Sequence, residues 1–358
     1  MKKIILFIFS FLIIILLMGC KQKYTIDQTL FIDSIGLDYN KETKKYSIYY
    51  HIASSKTLLT TQMGGGSSET VYSIGHVEAF GIYEGFDLIF KNSIKNVTLT
   101  HVQSMILTFD FINLENLNKL CTMLKTYDYI APNFYVFATE SKLSEIYSLQ
   151  NPENISPFFS LITGNDFVTA YDLTYFTELV RSIYEKYIIT KFIVIKSRDD
   201  IWQNNDEKIT SVAPIGNLYI NNEDQKLFLK NEDFKALSII NHEIFSTIVD
   251  NDTYYSIHNN NIIIKEKDKK FIIKVNGTFY TTNINVLNRE EIRENFTKFI
   301  EDEFIKLINY SKEYNFDILN LENKLFRKSH FKDYEKTKSD FDYKATEIEF
   351  KINYKLLS

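Results

Sequence analysis

The chain has 358 residues, 41 Lys and Arg against 46 Asp and Glu, a formal net charge of −5 and two cysteines. Its charges are interspersed, with no basic block or stripe, which sets aside nucleic acid as a partner, and two cysteines are too few for a disulfide scaffold. With 45% hydrophobic residues, four prolines and eleven glycines, the composition argues for sizeable cores and against a long disordered stalk, and the length suits two or three domains.

Lys2 and Lys3 precede an apolar run, Ile4 to Met18, broken only by Ser10. As a helix that run would be roughly 22 Å long at ~1.5 Å per residue, short of a comfortable bilayer span. Residues 1–19 therefore read as a signal peptide. The run ends in Leu17, Met18, Gly19 and Cys20, and the polar Lys21-Gln22-Lys23 follows. A Leu three positions before a cysteine, with a small Gly directly before it, is a lipobox. There the Cys20 thiol takes a diacylglyceryl group, and cleavage makes Cys20 the new N-terminus. Met18 departs from the small residue usual at its position. Two acyl chains, at ~0.8 kcal/mol per buried CH₂, anchor firmly where one is marginal, so the mature chain is expected on the outer face of the cell membrane.

Residues 21–28 are polar and read as a short tether. Phe31 to Ile52 reads as a hairpin turning at Asp38 to Glu42. Gly64 to Ser68 is a glycine-rich loop, and a helix is expected over 76–93. Val102 to Phe109 is a buried strand, and Asn113 is placed to cap a helix whose apolar positions include Leu117, Leu120, Cys121 and Leu124. After a break at Pro132, Phe134 to Ala138 is a strand; helix follows within 161–187, mostly from Tyr171, and Phe192 to Ile195 is a short strand. The polar stretch Arg198 to Lys208 marks a domain boundary.

Beyond it, Asn260 to Phe279 reads as a hairpin turning at Lys267-Asp268-Lys269. Asn288 caps a long helix, with Glu291 in capping-box position. Ile292, Phe296, Phe299, Ile300, Phe304, Leu307 and Ile308 form its stripe. The chain ends in a strand of strict period two: Ile348, Phe350, Ile352, Tyr354 and Leu356 on one face, Glu347, Glu349, Lys351, Asn353 and Lys355 on the other. The class is α+β, with mainly antiparallel sheets flanked by helices.

A search for chemistry comes back empty. The six histidines, His51, His76, His101, His242, His258 and His330, show no ligand spacing. Cys121 belongs to a core stripe and reads as a small buried hydrophobe. No Gly-x-Ser-x-Gly elbow is present. Gly64 to Ser68 lacks the lysine of a phosphate loop, and the Asp199-Asp200 pair and the Asn204-Asn205-Asp206 triplet lack the order of a calcium loop. No catalytic residue, metal or cofactor is nominated, which favours binding or assembly over catalysis.

In order, these segments resemble the Ger(x)C family, the lipoprotein subunit of nutrient germinant receptors in spore-forming bacteria. The resemblance starts at Gly19-Cys20 and continues in Ser34-Ile35-Gly36-Leu37-Asp38. It runs through His101-Val102-Gln103-Ser104-Met105-Ile106-Leu107, with Thr100 where the family often has Gly, and through Phe134 to Ile146. Ala213-Pro214 resembles the start of the second half. Phe316-Asp317-Ile318-Leu319-Asn320-Leu321, then Leu325-Phe326-Arg327-Lys328 and the final strand, resemble the last domain. A Gly usual after Asp-hydrophobic-Leu is absent, and Tyr334 stands where a Trp is common.

The resemblance implies three consecutive domains behind the signal peptide: 20–197, 209–283 and 284–358. It implies a diacylglyceryl anchor on Cys20 at the outer surface of the spore's inner membrane, and integral-membrane subunits as partners. It further implies a complex responding to small nutrients and a role in receptor assembly and nutrient-triggered germination. The family offers no catalytic residue to carry over. The alternative is a solute-binding lipoprotein of an importer. Such proteins have two α/β lobes around parallel sheets, and the antiparallel character of the late chain argues against it.

Overall fold

The computed structural model describes residues 29–53, 73–126, 133–147, 171–186, 189–204, 207–241, 245–250, 253–267, 270–281, 288–328 and 341–357. Residues 1–28, with Leu17, Met18, Gly19 and Cys20 and the expected signal peptide and tether, lie outside the described residues, as do Gly64 to Ser68, Pro132, His242, His330 and Tyr334.

The first hairpin forms as β1 (Thr29–Asn40) and β2 (Lys45–Ala53), paired antiparallel from Phe31↔Ala53 to Asn40↔Lys45. Its turn falls at Lys41 to Lys44, later than the charges suggest, because Asn40 Oδ1 accepts the N–H groups of Glu42 and Thr43, both at 2.9 Å. The helix expected over 76–93 forms only as α1 (Ile82–Asn92). Ahead of it, β3 (Ser73–Ala79) pairs with β2 from Ile52↔Ser73 to Tyr46↔Ala79. The period there is two: Gly75, Val77 and Ala79 turn inward, while Ile74, His76 and Glu78 are exposed.

β4 (Asn96–Thr98) and β5 (Ser104–Thr108) both run parallel to β1. Asn113 Oδ1 accepts the Asn116 N–H at 2.8 Å, so Asn113 caps α2 (Leu114–Thr126) as expected. β6 (Asn133–Thr139), α3 (Leu143–Tyr147), β7 (Tyr171–Asp172) and α4 (Leu173–Lys186) follow. The short strand expected at 192–195 is part of a long hairpin, β8 (Thr190–Asn204) and β9 (Glu207–Ile220), completed by β10 (Lys226–Lys230).

These strands make one sheet in the order β10-β9-β8-β6-β5-β1-β2-β3, with β4 beside β1 and β7 beside β6. β8, β6, β5 and β1 are mutually parallel, and both flanks are antiparallel. The sheet is covered on both faces, so its central strands read as unbroken apolar runs. Met105 and Leu107 of β5 join the core under α1, α2 and α4, while Ile106 between them packs with Leu143, Ile146 and Tyr147 of α3.

The polar stretch Arg198 to Lys208, where a domain boundary is expected, is the outer part of the β8–β9 hairpin. β6 pairs with β8 only at Phe137↔Ile193 and Ala138↔Val194, so the hairpin runs beyond it as a two-stranded ribbon, Arg198↔Ser211 to Asn204↔Glu207. A ribbon with no third strand among the described residues needs no apolar alternation, which is why the segment reads as a linker.

A second sheet holds β11 (Phe245–Asp250), β12 (Thr253–Lys267), β13 (Lys270–Thr281) and β14 (Ile348–Leu356) in that order. β12 and β13 are the expected hairpin, ending at Lys267↔Lys270. β14 alternates as expected and runs parallel to β13. α5 (Ala236–Asn241), α6 (Arg289–Glu313) and α7 (Leu321–Lys328) complete this part. Asn288 caps α6, accepting the Glu290 N–H at 3.2 Å. The stripe of α6 is buried at Ile292, Phe296, Ile300, Phe304, Leu307 and Ile308, each worth roughly 1.5–3 kcal/mol. The chain is thus α+β, with antiparallel-rich sheets flanked by helices.

The two halves share β9. Leu218 and Ile220 point into the first core; Tyr219 between them, with Leu227 and Leu229 of β10, belongs to the second. Residues 209–283 are therefore spread over both sheets.

Candidate functional site

Among the described residues, polar groups concentrate in two places, one sealed and one open. The sealed one lies in the first sheet. A register shift between Ile32 and Ser34 sets Asp33 apart from the regular β1–β2 ladder, and its Oδ1 stands 2.6 Å from His51 Nδ1. Beside them, Ser34 Oγ and Tyr147 OH are 2.8 Å apart, and Ser104 Oγ donates to Ser34 Oγ at 3.0 Å. Burial lifts the Tyr147 phenol far above its ordinary range. Ser, His and Asp are the residue types of a hydrolase triad, but Ser34 and Ser104 are 0% exposed and offer no face to a substrate. The network ties α3 to the sheet and fixes its register.

The other described histidines are placed in packing contacts. His76 stacks on Tyr49 with centroids 4.3 Å apart, and His101 sets its ring against Phe31 at 4.7 Å. His258 Nε2 is 3.0 Å from Ser256 Oγ. No group of three metal-ligating side chains occurs among the described residues. Cys121 is buried, and burial pushes its thiol up to about 12, so it is inert as a nucleophile at neutral pH.

The open place is a cleft of about 200 Å³ where the two halves meet. One wall is the β9–β10 turn, with Asn221 and Gln225; the other is the turn from Asn315 to Asn320, with Phe341 and Tyr343. Asn320 works as a two-point clamp on the entry to β8. Its Oδ1 accepts the Ile189 N–H at 2.7 Å, and its Nδ2 donates to the Ile189 carbonyl at 3.2 Å. Asn320 has φ of 53°, in the left-handed region that Gly or Asn tolerates. It stands directly after Asp317-Ile318-Leu319, where the family resemblance leads one to expect a glycine.

Asp317 starts the same turn. Its Oδ2 accepts the Glu322 N–H at 2.8 Å and caps α7, while Oδ1 is buried with no hydrogen-bond partner. Burial raises its carboxyl to about 6, against the pull of the Leu321, Glu322 and Leu319 N–H groups. Tyr343 OH and Ser311 Oγ are 2.6 Å apart at the back of the cleft. Thr190 Oγ1 and Tyr219 OH, on the strands beside the clamp, are also buried without a partner among the described residues. Each such group costs about 1–3 kcal/mol, so the junction is held by a few strong contacts around several unmade ones.

The expected site residues, Cys20 with Leu17, Met18 and Gly19, lie outside the described residues. Asp317 and Asn320 escaped the sequence reading as site residues, although both fall in a segment that carries the family resemblance. An Asn-rich composition hides Asn315 and Asn320, whose φ is positive at the two ends of that turn.

Residues 22–194 match the family model described as the spore germination protein N-terminal domain. Residues 219–357 match the one described as spore germination B3/GerAC-like, C-terminal. A solved structure, the crystal structure of the GerBC protein, aligns with a TM-score of 0.49 and 15% identity over 90% of this chain and 97% of that one. No curated protein matches the sequence. With both family domains in order along nearly its whole length, the chain belongs to the Ger(x)C family of spore germination receptor C subunits.

Proposed function

We propose that this chain is the membrane-anchored lipoprotein subunit of a nutrient germinant receptor. Diacylglyceryl on Cys20 holds it on the outer face of the spore's inner membrane, and it is needed for receptor assembly and so for nutrient-triggered germination. The observation that carries this reading is the pair of family domains directly behind Leu17-Met18-Gly19-Cys20. Its partners are the integral-membrane subunits, and small nutrients are bound by the complex. Confinement to the membrane raises its effective concentration beside those partners, so a modest interface suffices. Its work is assembly rather than catalysis. In this reading 20–197, 209–283 and 284–358 are its successive domains, the last two sharing one core.

The test is purification of the receptor from spore membranes carrying either this chain or its Cys20→Ala form. The unmodified chain should co-purify with the integral subunits, and Cys20→Ala should be lost from the complex. An intact, nutrient-responsive receptor isolated without this chain would overturn the proposal.

A further inference from the structure

We infer that one end of the first sheet rests on the bilayer, with Ile94 as the side chain that enters it. This rests on the acylation of Cys20 proposed above. Nine residue steps separate Cys20 from Thr29, and at ~3.5 Å per residue they can span no more than about 30 Å. The end where β1 begins is therefore held close to the membrane surface.

The strand pairs show what else lies at that end. β4 runs parallel to β1 with Thr29↔Asn96, so Ile94 and Lys95 flank the place where the chain arrives from its anchor. β3 also starts there, since Ser73 pairs with Ile52 and Ile52 with Ile32. β3 runs away from this end, and α1 leads back to it, bringing Lys91 and Asn92 alongside. Ile94 is 104% exposed and Ile74 is 48% exposed.

A single exposed isoleucine is ordinary on a protein surface. This one differs in its setting. The chain carries 46 acidic residues, yet none from Leu88 to Phe109, a stretch that contains Lys91, Lys95 and His101. Lys91 is paired within α1 to Asp87; Lys95 sits next to Ile94 on the exposed loop. Ile94, fully exposed and with Lys95 beside it, suits the surface of an anionic leaflet, where the isoleucine enters the interface and the lysine meets headgroups. Phe80 is also exposed, at 69%, but it lies at the far end of β3, with Lys45 Nζ 5.7 Å from its ring. It would face away from the membrane. Contact through Ile94 would stand the parallel strands on the bilayer and turn the β1–β2 turn outward.

The experiment uses the acylated mature chain in vesicles of phosphatidylcholine and phosphatidylglycerol. An environment-sensitive dye is attached at Ile94→Cys in one preparation and at Phe80→Cys in another; Cys121 is buried and Cys20 blocked by lipid. Both positions are exposed, so neither change disturbs a core. The expected result is a blue shift at 94 on reconstitution, with quenching by doxyl-labelled lipid, and an unshifted, unquenched dye at 80. Two aqueous dyes on a chain that stays with the vesicles would overturn the inference and leave the anchor intact. Equal quenching at both sites would overturn the orientation. A chain that separates from the vesicles would overturn the anchor and the inference with it.

Discussion

Gly36, in the segment Ser34 to Asp38 that carries the family resemblance, has a packing reason. A Cβ at that position would stand 2.7 Å from the Tyr147 ring and 3.1 Å from Leu143, so α3 lies directly on the bare backbone. Gly36→Val should cost about 1–3 kcal/mol through overpacking, read as a lower urea midpoint; unchanged stability would remove α3 from that face. Asn320 shows the opposite case, a functional position the sequence conceals. Its role comes from Ile189, 131 residues away, and no local pattern announces so distant a partner. Asn320→Ala should lose both clamp bonds and strain φ, for about 2–4 kcal/mol. Asn320→Gly should recover the conformational part only, and equal losses would mean that φ is not under strain. For Asp317 the sign is opposite to that of a salt-bridged carboxylate. Its folded carboxyl titrates at about 6 and its unfolded one near 3.9, so between those values the folded state keeps a proton that the unfolded state has lost. Its contribution is greatest in acid and is lost as pH rises through 6. Asp317→Asn should therefore gain on the parent between pH 4 and 6, by up to 2–3 kcal/mol as an order of magnitude. Parallel pH profiles of stability would contradict this.

At the scale of elements, periodicity was most legible where one partner layer covers one face. β14 keeps its alternation from Ile348 to Leu356, and α6 keeps its stripe from Ile292 to Ile308, because each buries a single side. The signal failed at β3, where Val77 and Phe80 mimic helical spacing across a strand-to-helix junction, and along β8–β9, where the ribbon is polar. Cys121 belongs with the legible positions. A thiol-specific reagent at pH 8 should leave it untouched in the folded chain and modify it only through the urea transition. Fast reaction in the native protein would contradict its place in the first core.

For the whole molecule, the order of several short motifs along the chain was enough to reach the family, because order survives where single residues change. The way the halves join was not legible. β9 sends Leu218 and Ile220 into one core and Tyr219 into the other, and in the sequence this looks like any alternating strand. The shared strand and the Asn320 clamp couple the two halves, so damage at the junction should lower the stability of both. The proposed role in germination can be tested in spores with the chain deleted. Release of dipicolinic acid would be followed after a panel of nutrients, with exogenous calcium-dipicolinate as the receptor-independent control. Nutrient-triggered release should fail for this receptor's nutrients while calcium-dipicolinate still works, and restoring the chain should restore the response. Full response to every nutrient in spores lacking this chain and all related receptors would contradict it.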